Sequence, residues 1–143
     1  MTDLVFNDCA DDVEAVMVAW LTPLRRCSVT RIAGDELPFT LVKHVAGTEN
    51  PGEGLADPIV SVHTLCDRSY GESEAAYEAQ LTHRRMLLLA EDPLATVALP
   101  GGVVASCSSL DRAIGPAEQA YGAETVVTRF ISEYTLTLRF APA

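Results

Sequence analysis

Apolar and polar positions along the chain follow two different periods, and the switches between them lay out the elements. Val13, Val16, Met17, Trp20, Leu21 and Leu24 recur at helical spacing. They predict a helix over residues 8 to about 25 with one apolar stripe. Asn7 or Asp8 suits its start, Asp11 and Asp12 the positive end of its dipole, and Arg25 and Arg26 the other end. Pro23 disfavours helical geometry at Thr22, so the helix is expected to kink or stop there. Residues 27–33 and 38–46 read as two strands joined by a turn around Gly34 and Asp35, with Pro38 at a strand start or edge. Residues 47–57 carry Pro51, Gly52 and Gly54 without an apolar pattern and read as a loop of the length that is often functional. A third strand is expected over 59–66, where Val60, Val62, Thr64 and Cys66 share a face. The chain then turns through Gly71.

Residues 73–91 return to helical period. Ser73 can cap the helix and Pro93 ends it, with Ala76, Ala79, His83, Met86, Leu87 and Ala90 as the packing face. A turn at Pro100-Gly101-Gly102 leads to a strand over 103–110 and a loop over 111–122 with Gly115-Pro116. The clearest strand signal is 125–140. Its even positions, Val126 to Phe140, are mostly apolar, and its odd positions include Arg129, Glu133, Thr135, Thr137 and Arg139. Extended, this strand would span about 50 Å at about 3.3 Å per residue. A domain of this size has a radius of gyration of roughly 14–15 Å. The strand must bend, break at a bulge near Ser132, or project with unpaired edge groups that seek a partner. Together the elements describe one α+β domain over residues 1–143: a mixed, mainly antiparallel sheet packed by two helices, with a long C-terminal strand.

Composition narrows the function. The chain has 143 residues, 48% of them hydrophobic, enough for one real core. Its net charge is -10, from 20 acids and 10 bases. Gripping nucleic acid through phosphates needs the opposite sign. Acidity is read first as solubility; the functional alternative, ranked behind it, is a surface that DNA passes without sticking. Lys43 is the only lysine. The N-terminal MTDLVFNDCADD lacks the basic segment of a secretory signal, and the longest strongly apolar run, Met86 to Ala90, is far too short to span a membrane. A cytosolic protein without a membrane partner is expected.

No pattern for bond chemistry emerges. The four cysteines, Cys9, Cys27, Cys66 and Cys107, form no CxxC pair. They read as reduced, packed thiols; the alternative is a zinc site completed by His44, His63 or His83. No nucleophile elbow, HExxH or phosphate loop is present, and Gly101-Gly102 is followed by neither lysine nor helix. No catalytic residue, cofactor or metal is expected.

Two segments carry a family resemblance. PIVSVHTLCDRSYGESEAAYEAQLTHRRMLLL and GPAEQAYGAETVVTRFISEYTLTLRF, the latter marked by Gly115, Pro116, Tyr121, Arg129 and Tyr134, resemble the tail terminators (tail-completion proteins) of long-tailed phages of actinobacteria. The resemblance implies a virion structural protein at the head–tail junction, assembled in the host cytoplasm. It implies a homo-hexameric ring that caps the tail tube, ends polymerisation of the tail tube protein, and presents a surface to the head connector or completion protein, with DNA crossing its lumen unbound. The ring's contact candidates are Arg129, Glu133 and Arg139 on the last strand and Glu49 and Glu53 in the 47–57 loop; as single residues, all five also read as solvated charges. A head-completion or connector neck protein, or a small cytosolic α+β ligand-binding domain or enzyme, are the alternative readings.

Overall fold

The computed structural model describes residues 9–32, 34–50, 54–100, 102–120 and 126–142. The elements are α1 (Cys9–Leu21), β1 (Cys27–Ser28), β2 (Phe39–Asn50), β3 (Leu55–Asp67), a 3-10 turn (Arg68–Tyr70), α2 (Glu72–Glu91), β4 (Val97–Leu99), β5 (Val103–Gln119) and β6 (Val127–Pro142). The strands form one sheet in the order β1-β2-β3-β6-β5-β4. Every pairing is antiparallel except β1 with β2. The fold is therefore α+β, with a mixed, mainly antiparallel sheet, two packed helices and a long last strand.

Alternation along β6 builds the core. Ser132, Tyr134, Leu136, Leu138 and Phe140 are buried. They join Val60 and Val62 of β3 and Val42 of β2 beneath Val13, Val16, Met17 and Leu21 of α1 and Met86 and Leu89 of α2. Each fully buried side chain of this kind contributes about 1.5–3 kcal/mol relative to exposure. The helices clasp each other through Trp20 and Arg85. The indole Nε1 donates to the Arg85 carbonyl at 2.7 Å, and Arg85 Nε donates back to the Trp20 carbonyl at 2.9 Å. The guanidinium lies 3.8 Å above the indole ring.

Several expectations need correction. α1 ends at Leu21, before Pro23, so Arg25 is not at its C-terminal dipole. Instead Arg25 is buried, paired with Glu78 at 3.2 Å and donating to Thr40 Oγ1 at 3.0 Å, to Thr82 Oγ1 and to the Glu78 carbonyl. Pairing and full hydrogen bonding are what make a buried guanidinium tolerable. That network also explains the packing face of α2, which is Ala75, Ala79, Thr82, Met86 and Leu89. It is rotated from the expected one because polar Thr82 turns inward to meet Arg25. Gly71, not Ser73, occupies the N-cap of α2, without a side-chain cap bond. The expected caps Asn7 and Asp8 lie outside the described residues.

The strand between 27 and 33 is only Cys27–Ser28, and it runs parallel to β2, so the two do not form a hairpin. Residues 47–50 and 55–57 are strand and not loop: β2 and β3 stay paired out to Asn50 and Leu55, and the Gly54 carbonyl accepts from the Phe140 N–H at 2.7 Å. β5 likewise continues through the expected loop to Gln119. β4 was not foreseen; it pairs back onto the start of β5.

The long last strand neither breaks at Ser132 nor projects. It lies in the middle of the sheet, paired to β3 on one side and to β5 on the other. The register shifts sit on its neighbour, at Cys107/Ser109, Leu110/Arg112 and Ile114/Ala117 of β5. The length problem is solved by making the sheet equally long: β5 has 17 residues and β3 has 13.

Candidate functional site

Because β6 is central, the unpaired backbone lies on other strands. β1 covers β2 only at Thr40 and Leu41, and β4 covers β5 only at Val103, Val104 and Ala105. Among the described residues no strand covers β2 from Val42 to Asn50 or β5 from Ser106 to Gln119. These are two long rims of backbone donors and acceptors.

The rims differ locally. On β2 a register shift between His44 and Ala46 bulges Val45 outward. The His44 N–H is taken by the Glu14 carboxylate of α1 at 3.1 Å, so helix and rim are tied at the bulge. Beyond it Gly47 adopts φ 129°, and a Cβ there would lie 2.3 Å from the Asp57 carbonyl oxygen of the paired strand. Only glycine fits that approach. A small open groove of about 170 Å³ runs along this stretch, lined by residues 44–49 and Ala56.

Arg129, Glu133 and Arg139 share one face of β6, opposite the helices, and are spread along its length. Pairing places Lys43, Ser61 and Glu133 in one row there, with Arg112 beside Thr135 and Asp57 bonded to Thr137 at 2.7 Å. Around Glu133 and Arg139 this face is half exposed and mixes bases with acids, while at its other end Phe39, Leu41, Leu65 and Val127 are buried in a second apolar cluster beside Arg129. Arg129 donates to the Ala120 carbonyl, which ties β6 to the end of β5 within the chain. Glu49 does not join these three: it pairs with Ala56 near the hairpin tip and is exposed. Glu53 lies outside the described residues.

The open face also holds a pair that sequence spacing did not flag. Ser61 Oγ and His63 Nε2 are 3.0 Å apart, two residues along one strand. Nucleophile and base are thus within reach. Burial, followed by the nearby charges of Arg129 and Lys43, pushes the His63 pKa down to about 4. A base that weak draws little proton from a hydroxyl, and its buried Nδ1 has no hydrogen-bond partner among the described residues to orient it. The other histidine–hydroxyl chain, His83 Nδ1 to Tyr134 OH at 2.7 Å and on to Ser132 Oγ at 3.0 Å, is a packing device: the tyrosine is fully buried and stacks on the imidazole.

Cys27, Cys66 and Cys107 are free thiols. Burial raises Cys27 to about 12 and Cys66 to about 11, against a smaller lowering by Arg25, and it raises Cys107 as well. Protonated thiols are poor nucleophiles and poor ligands. Among the described residues, no three His, Cys, Asp or Glu side chains gather as a metal site, and no helix is long and apolar enough to cross a membrane. No protein-family model and no curated protein matches this chain. The arrangement offers edges, a groove and a mixed-charge face, which are means of binding a surface.

Proposed function

We propose that the chain is a ring-forming structural protein of the phage tail-terminator type. Copies of it close into a hexameric ring on the end of the tail tube, stop addition of tube protein, and give the head connector a surface to join. The observation that carries this reading is the pair of long rims on one sheet, each covered among the described residues by a strand of only two or three residues. Two different rims on one subunit fit a head-to-tail contact, which repeats and closes. The net charge of -10 supports a passage that DNA crosses unbound. The resemblance of residues 58–89 and 115–140 to tail terminators supplies the particular partners.

The test is polymerisation of purified tail tube protein with and without this chain. Capping should shorten the tubes in proportion to added protein, with a ring visible at one end. Tubes of unchanged length, with no density at either end, would refute the reading. A ring found on portal complexes but never on tubes would reassign it to the neck.

A further inference from the structure

We propose that neighbouring copies join rim to rim, Val45–Asn50 of β2 in one copy pairing antiparallel with Ser106–Arg112 of β5 in the next, so that one sheet runs on around the ring. This rests on the ring reading above.

Direction is the first argument. Three antiparallel steps separate β2 from β5, so within one copy they run opposite ways. Rotation about an axis lying along the strands leaves each strand's direction unchanged. The β5 rim of one copy therefore meets the β2 rim of the next as an antiparallel pair, the commoner geometry and one that needs no further rearrangement.

Level is the second. Across the sheet, Glu49 lies in the row of Leu138 and Cys107, and Lys43 in the row of Glu133 and Ile114. The free part of β2 and the free part of β5 thus occupy the same rows, while the two caps sit at opposite ends. A closed ring has no rise between subunits, so equal level is what closure requires.

Side chains are the third. Edges that avoid pairing carry lysine or proline. Val45–Asn50 and Ser106–Arg112 contain neither, and Ser106–Leu110 is also uncharged. Two large exposed apolar residues instead mark the same end of each rim: Val45, 58% exposed in its bulge, and Ile114, 43% exposed. Unfilled, they are surface hydrophobics; across the seam they are diagonal neighbours, within reach of each other's side chains. The groove along residues 44–49 lies on the same stretch and leaves room for side chains of the incoming strand. The register shifts of β5 divide the pairing into short runs.

The test uses V45K, I114E and the double variant, with sedimentation velocity on the full chain, alone and with tail tube protein. Both residues are exposed, so each variant should melt as the wild type does. V45K alone and I114E alone should each raise the concentration for half-assembly by at least about tenfold, because each holds an unpaired charge in an apolar contact. The double variant, and an equimolar mixture of the two single variants, should assemble again, because opposite charges then meet across the seam. If the wild type assembles and either single variant assembles equally well, or the double variant stays apart, the seam is wrong and the ring stands. A wild type that remains a monomer at every concentration and on tubes overturns both.

Discussion

The middle of the sheet and its rims are made of similar strands in opposite circumstances. β3 and β6 are paired on both sides, and the even residues of β6 from Ser132 to Phe140 are sealed under the helices. β2 and β5 are as long, yet among the described residues the strands on their outer side are a two-residue and a three-residue cap. Strand length alone therefore does not locate an assembly surface. Neighbours on both sides turn a long strand into core, and a missing neighbour turns the same kind of strand into a contact.

The contrast breaks most severely at the centre. Leu136→Ala leaves a cavity under both helices and should cost about 2–5 kcal/mol in chemical denaturation. Assembly should then be lost only in step with folding. At the rim, Gly47→Ala should cost less, about 1–3 kcal/mol, because the β2–β3 arm must shift away from the Asp57 carbonyl. Circular dichroism should show the helices intact while assembly fails.

The smallest effect is a pH dependence from the open face. His63 is held at about 4 when folded, against an ordinary value of 6.5. The neutral ring is therefore favoured in the native state. Its contribution is full above 6.5 and is lost progressively as pH falls from there toward 4, since the unfolded chain takes up the proton first. His83, also lowered by burial, adds in the same direction. Thermal melting between pH 7 and pH 5 should show Tm falling with pH, and His63→Gln should flatten the slope in part. An unchanged slope would mean that His63 titrates normally.

Much of the centre was legible from sequence. The alternation of residues 125–140 and of 59–66 located β6 and β3 and the buried faces of both, because burial on one side writes a period of two into the side chains. α1 was legible for the same reason at helical period. The rims were not. Residues 47–49 at the end of β2 and DRAIGPAEQ at the end of β5 carry no apolar alternation, because their side chains are largely exposed and the backbone of one neighbour holds them. Residues read as loops were therefore the outer strands. The contact candidates Arg129, Glu133 and Arg139 sit on a strand paired on both sides, so they offer side chains and no free backbone edge to a neighbour. The Arg25 network escaped because it joins residues more than 50 positions apart, and no local pattern signals a threonine turned inward toward an arginine.

Hydrogen–deuterium exchange, compared between dilute chain and assembled ring, tests the central claim most directly. β6 amides should be protected equally in both states, while the outward-pointing amides of Val45–Asn50 and Ser106–Arg112, about every second one, should exchange freely in dilute chain and become protected only in the ring. Rims as protected as β6 in the isolated chain, or still unprotected after assembly, would contradict it.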